Sequence, residues 1–227
     1  MQQRLMMVSL AVALAGGAGW WFTQPTSTTP TVAGQEIVLP GAANAQESTG
    51  AEVVVQEMVL GEADAPVEVI EYASYTCPHC ATFHSGVFKD LKTDYIDTGK
   101  VKFVYREVYF DRYGLWGSMI ARCGGDDRFF GITDILYEQQ STWTRAGSEA
   151  AIADELRKIG RIAGLDNDQL EACLSDGDKA RALIEWYQAN AEEHGINSTP
   201  SFVIDGQTYS NMSYSEFQEI LNDRLGS

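Results

Sequence analysis

Cys77-Pro78-His79-Cys80 decides the reading of this 227-residue chain. It stands between an apolar, strand-like run, Val67-Glu68-Val69-Ile70-Glu71-Tyr72, and a run with helical period. Two cysteines at that spacing can close a tight disulfide or ligate a metal. A first cysteine at a helix N-terminus ionises more easily, and only the thiolate attacks or leaves well in disulfide exchange. The pattern points to thiol redox chemistry rather than to a structural staple.

Working outward, Val53-Val54-Val55 with Met58 and Val59 reads as a first strand, and Val67 to Tyr72 as a second. From Pro78 onward, Phe83, Val87, Leu91 and Tyr95 recur every four residues, the period of a helix buried on one side. Ser85-Gly86 is a kink point in that helix and Gly99 its end. Val101 to Val108 alternates as a third strand. The pattern then changes, and residues 113–194 carry almost only helical signal. Ser148 opens one run, Asp166 with Gln169 forms a capping-box pattern, and Asp178 opens another run that Gly195 stops. Phe202-Val203-Ile204, Asp205-Gly206 and Gln207-Thr208-Tyr209 read as a hairpin, because Asp-Gly suits a tight turn. Ser213 to Leu225 closes the chain as an amphipathic helix. The order is that of a small α/β sheet interrupted by about eighty helical residues.

The N-terminus reads as a targeting segment. Leu5 to Phe22 is nearly unbroken apolar sequence behind a single Arg4, so residues 1–22 are expected to be a signal peptide or an N-terminal anchor. Residues 23–50, rich in Thr, Pro, Ala and Gly, read as a flexible linker, with a small-x-small cleavage pattern at Ala43-Asn44-Ala45. Export, to a periplasmic or otherwise extracytoplasmic site, is the expectation either way. The chain has 16 basic against 32 acidic residues, a net charge of −16, which argues against nucleic acid or anionic lipid as a main partner. Four cysteines in an exported chain make an even set. Short spacing favours Cys77 with Cys80, which leaves Cys123 with Cys173. An oxidising compartment favours a second disulfide there; the alternative is two separate buried thiols.

Gly61-x-x-Asp64-Ala65-Pro66-Val67, the strand through Glu71, Cys77-Pro78-His79-Cys80 and Thr199-Pro200 before an apolar strand together resemble the DsbA family of thiol–disulfide oxidoreductases. The resemblance runs from about residue 53 to 227. It implies a thioredoxin fold interrupted by an all-helical insertion, with 51–112 and 195–227 forming the thioredoxin-fold part and 113–194 the insertion. The pair Cys123 and Cys173 resembles the extra helical-domain disulfide of some members.

The site residues follow from both lines of reading. Cys77 at a helix N-cap faces unpaired backbone N–H groups and the positive end of the helix dipole, and Pro78 suits the next position. His79, as a donor or positive charge, would favour thiolate at Cys77. Cys80, one turn inward, is expected to be shielded and to resolve the mixed disulfide. Glu71 faces the interior, where a carboxylate is costly; the family places an acid there, beneath the disulfide, to assist proton movement. Lys102 aligns loosely as its partner. The family's best-known members carry another acid four residues after the second cysteine. Here that position is His84, which reads as a helix-surface residue. The resemblance also implies a cis peptide at Thr199-Pro200 against the active disulfide, with Thr199 presenting backbone groups to an extended substrate.

The leading expectation is an exported dithiol oxidase acting on reduced, folding exported proteins. It would need no cofactor and no metal, work as a monomer, and be reoxidised by a DsbB-like, quinone-linked membrane protein. A disulfide isomerase or reductase on the same fold is the nearer alternative. A Cu(I)- or Zn-binding thiol module using Cys77 and Cys80 is the more distant one, and it lacks a second ligand pair at metal spacing.

Overall fold

A computed structural model describes residues 31–32, 35–36, 39–40 and 53–226. Residues 1–22, read as a signal or anchor, lie outside the described residues. Within the stretch read as a linker, β1 (Thr31–Val32) pairs antiparallel with β2 (Gln35–Glu36). Among the described residues, no helix is long and apolar enough to cross a membrane.

The strand before the two cysteines is the middle of the sheet. β4 (Val67–Ala73) lies parallel to β5 (Val101–Glu107) on one side and antiparallel to β6 (Ser201–Ile204) on the other. The edges are β3 (Met58–Leu60) and β7 (Gln207–Ser210), giving the order β3-β5-β4-β6-β7. Asp205 and Gly206 both take positive φ, 44° and 82°, as a two-residue hairpin turn with the twist of its strands requires. The backbone N–H of Glu68 donates to Asp205 Oδ1 at 3.0 Å, so the turn is also pinned to the central strand.

Alternation along β4 divides two cores. Val67, Val69 and Ala73, with Glu71 between them, face one side; Ile70 and Tyr72 face the other with Val104, Val108 and Val203. The first side is covered by α1 (Pro78–Ser85), α2 (Val87–Leu91) and α9 (Tyr214–Leu225), through Phe83, Phe88, Leu91, Phe217 and Leu221. Each such side chain, fully buried, stabilises the fold by about 1.5–3 kcal/mol.

Six helices stand between β5 and β6: α3 (Arg112–Cys123), α4 (Asp126–Glu138), α5 (Gln140–Trp143), α6 (Glu149–Ile162), α7 (Asn167–Ser175) and α8 (Gly177–Glu193). Four of these starts, those of α3, α6, α7 and α8, are set by side-chain caps. Asp111 accepts from two backbone N–H groups, Ser148 from Ala151, and Asp166 with Gln169 completes a reciprocal capping box. Each cap contributes about 1 kcal/mol. Phe129, Ile132, Leu136 and Trp143 from these helices join the same apolar cluster as Val69, Phe83 and Phe103. The sheet face and the helical block therefore share one continuous core. The Cys123–Cys173 disulfide ties the last residue of α3 to α7.

A buried ion pair seats the block on the sheet. Arg122 on α3 donates to both oxygens of Glu107 at the end of β5, at 2.6 and 2.7 Å, and Ser118 Oγ donates to the same carboxylate. Arg122 Nη1 also donates to the carbonyl of Gln56 at 2.9 Å. That contact explains one departure from the sequence reading. Val53–Val55 is not a strand, because the backbone that would extend β3 is taken by Arg122, and Glu57 pairs with Arg106.

Two helix boundaries also differ. The expected kink is a full break at Gly86, followed by α2 and a π-helical turn over Lys92–Ile96. The last long helix starts at Gly177 rather than Asp178, because Asp176 is its cap and accepts from the Lys179 N–H at 2.9 Å.

Candidate active site

Cys77 is the N-cap of α1, in extended conformation, and Pro78 is the first helical residue. Both Cys77 and Cys80 are thiols here, Cys77 half-buried and Cys80 fully buried. The Cys80 backbone N–H points at Cys77 Sγ from 3.4 Å, and Cys77 Sγ lies 3.4 Å from the carbonyl oxygen of Thr199. The Thr199–Pro200 peptide is cis and brings that carbonyl to the sulfur. Thr199 Oγ1 is buried with no hydrogen-bond partner of ordinary geometry.

The two thiols are driven apart in acidity. The Cys80 thiol beside Cys77, then the Thr199 side chain and the backbone N–H groups of Cys80 and His79, lower Cys77 to about 5 against the opposing cost of burial. Burial pushes Cys80 strongly the other way, helped by Cys77 and by the negative charge of Glu71. One proton is therefore held on the inner sulfur while the outer sulfur stays ionised at neutral pH.

His79 is exposed, and its backbone N–H is among the groups that lower Cys77. Glu71 is completely buried, on the face of β4 that α1 covers. Lys102 is not its partner. Lys102 stands in register with Glu68 and pairs with it at 2.7 Å, whereas Glu71 stands opposite Tyr105. Glu71 pairs instead with His84, Nε2 to Oε2 at 2.9 Å. The expectation of a surface histidine is thus overturned: His84 is 4% exposed and stacks on Tyr137 with ring centroids 4.4 Å apart. It sits one turn beyond Cys80, so it shares the cysteine's inward face of α1. That i, i+4 spacing was the available signal.

Gln140 was not anticipated. Its Nε2 donates to the carbonyls of Tyr75 and Cys77, at 2.8 and 2.9 Å, and so holds the turn that delivers Cys77 to the helix. Thr76 Oγ1 donates to Asp111 Oδ2 at 2.8 Å, fixing the same turn to the start of α3. No local pattern in the sequence announces either contact, since Gln140 lies in the helical block and Asp111 at its entrance, both distant in sequence from the turn.

The thioredoxin family profile Thioredoxin_4 matches residues 53–223. A Rickettsia bellii protein named as a candidate protein-disulfide oxidoreductase is 34% identical over 170 residues, 74% of this chain and 64% of its own length. The chain thus spans a little under two thirds of that relative. The crystal structure of Wolbachia pipientis alpha-DsbA1 has the same fold, with a TM-score of 0.69 at 24% identity over 77% of this chain and 93% of that one. A structure titled protein-disulfide isomerase from Novosphingobium aromaticivorans gives a TM-score of 0.68 at 25% identity over 75% of this chain and 98% of that one. The chain belongs to the thioredoxin family, and its kinship there is with the DsbA-like thiol–disulfide oxidoreductases.

Proposed function

We propose that this chain is a thiol–disulfide oxidoreductase that works outside the cytoplasm and donates the Cys77–Cys80 disulfide to folding exported proteins. The observation that carries this reading is the placement of the two sulfurs: Cys77 half-buried at the N-cap of α1 with the Cys80 N–H 3.4 Å from its Sγ, and Cys80 fully buried, an arrangement that lowers Cys77 to about 5 and raises Cys80. A stabilised Cys77 thiolate favours the dithiol form, which makes the disulfide an oxidant and Cys77 a good leaving group.

The cycle has two exchanges. A substrate thiolate attacks Cys77 Sγ, the Cys77–Cys80 bond breaks, and its electron pair leaves on Cys80, which takes up a proton. A second substrate thiolate attacks the substrate sulfur of the mixed disulfide and expels Cys77 as thiolate. The substrate has then lost two electrons and two protons; one proton resides on Cys80 and one in solvent. The Thr199 carbonyl beside the sulfur suits pairing with an extended substrate backbone, and Cys123–Cys173 serves as a structural disulfide.

The apolar segment from Leu5 to Phe22 supports export. A monomer fits the assignment, and reoxidation falls to a DsbB-like, quinone-linked membrane protein, as the family resemblance implies. Thiol alkylation of the protein trapped directly from its cells tests the direction of electron flow. A Cys77–Cys80 pair found oxidised at steady state is the expected result, and a mainly reduced pair would overturn it.

The isomerase reading keeps support from the Novosphingobium protein, which is named a protein-disulfide isomerase. Regain of activity by scrambled ribonuclease at a rate matching oxidation of the reduced enzyme would favour it. The metal-binding reading has less support: among the described residues no three His, Cys, Asp or Glu side chains are grouped to hold an ion.

A further inference from the structure

The Glu71–His84 pair is not explained by stability. Glu71 Oε1 and His84 Nδ1 are both buried with no hydrogen-bond partner. Each orphaned atom costs stability, and an apolar pair of similar volume is often the more stable choice in a core. Around the histidine the walls are aromatic: Tyr137 stacks on it, Phe88 lies 4.6 Å away, and Phe83 and Tyr105 meet it edge-on. A hydrogen-bonded polar pair stands where packing alone would favour hydrocarbon.

Its position relates it to two places at once. Inward, Cys80 lies one helical turn from His84 on the same face of α1, and Glu71 and Cys80 act electrostatically on each other and on the Tyr137 hydroxyl. Outward, His84 and Tyr137 line a half-open cavity of about 230 Å³ between α1 and α4. Asp134, Glu138 and Lys89 line its mouth. Burial raises the Asp134 carboxyl, and a charged His84 would lower it, so the mouth and the ring are electrostatically linked. From β5, the group facing the ring is the Tyr105 hydroxyl, bonded to that of Tyr137 at 2.6 Å.

The chemistry needs such a route. Cys80 must gain a proton when the disulfide opens and lose it when the disulfide re-forms, yet it is sealed from solvent. We propose that His84 is a positioning residue that couples the buried Glu71 to the water of this cavity, so that protons reach and leave Cys80 from behind the dithiol. On opening, the Cys80 thiolate takes a proton from the Glu71–His84 pair, and the pair recovers one from water in the cavity. On closing, the same proton travels back, and the departing thiolate leaves on the partner molecule. The inference rests on exchange at Cys77–Cys80 and holds for either net direction.

The test is the two-step reaction of the reduced full chain with oxidised glutathione, followed by rapid quench and mass spectrometry. Attack by Cys77 forms the mixed disulfide; attack by Cys80 then releases glutathione at a rate independent of its concentration. His84→Gln, which keeps a hydrogen-bond donor but carries no proton, is expected to slow the second step by about 100-fold and flatten its pH profile. The first step should be unchanged. In His84→Ala the second step should recover with added imidazole, and in Glu71→Gln it should not. A His84→Gln second step with wild-type rate and pH profile would overturn the proposal, as would a His84→Ala rate that imidazole leaves unchanged. A wild-type chain that fails at the first step would instead count against the function itself.

Discussion

The chain holds two pairs of cysteines, and they sit at opposite ends of helices. Cys77 caps the N-terminus of α1, where backbone N–H groups stabilise a thiolate. Cys123 is the last residue of α3, and Cys173 lies two residues from the end of α7, where the negative end of the helix dipole disfavours one, and the Gln169 carbonyl lies 3.4 Å from Cys123 Sγ. Thiolate stability sets both leaving-group quality and the ease of reduction. On the proposed function, the same kind of covalent bond is a reagent in one place and a brace in the other. The difference lies in the backbone around the sulfurs rather than in the cysteines.

The sharpest way to break this comparison is to remove each pair in turn. Cys77→Ser should abolish exchange with glutathione, whereas Cys123→Ala with Cys173→Ala should leave it intact, as followed by mixed-disulfide formation. Titration with a thiol–disulfide buffer sharpens it further: alkylation mapped by mass spectrometry should find Cys77–Cys80 reduced while Cys123–Cys173 stays closed. Reduction of both pairs together would erase the distinction.

Next in size is stability. Closing a chain separation of 50 residues, the Cys123–Cys173 bond should contribute about 2–4 kcal/mol. Its removal should lower the urea midpoint without shifting the pH profile of Cys77. That profile is itself a prediction: alkylation of Cys77 should be half-maximal near pH 5. Because the folded value is depressed from 9.0, the thiolate stabilises the dithiol form fully above pH 9.0; that contribution declines as pH falls and is gone below about 5. Denaturant midpoints of the dithiol form between pH 8 and pH 5 read the decline, which the disulfide form should not share. The smallest effect is expected for Gln140→Ala. It frees two backbone carbonyls that water can partly reclaim, so a loss of about 1–2 kcal/mol should accompany a slightly less acidic Cys77.

The strands and caps were legible because their causes are local. Alternation along Val101–Glu107, Asp205-Gly206 at the hairpin and the reciprocal bonds of Asp166 and Gln169 each need only a few neighbouring residues. The placement of Cys77 at a helix start and of Cys80 on the buried first turn was legible for the same reason. His84 was misread because its role depends on α1 lying across Glu71, and Lys102 because its partner is fixed by strand register, which a loose alignment does not supply. Val53–Val55 carries strand-forming residues, but a side chain from α3 competes for the backbone that would extend the strand. What escaped the sequence is the set of contacts made between distant segments, and these include most of what surrounds the two sulfurs.

Gln140 has a consequence for how this architecture could be rebuilt. The residue belongs to the helical segment, yet its amide grips the turn that presents Cys77, and Asp111 grips the same turn at Thr76. A minimal protein made by deleting residues 113–194 would keep the four-residue motif and lose one of the hands that shape it. Transplanting Cys-Pro-His-Cys onto another scaffold would meet the same obstacle. In this molecule reactivity is not a portable cassette; it is shared property of two parts that must be inherited together.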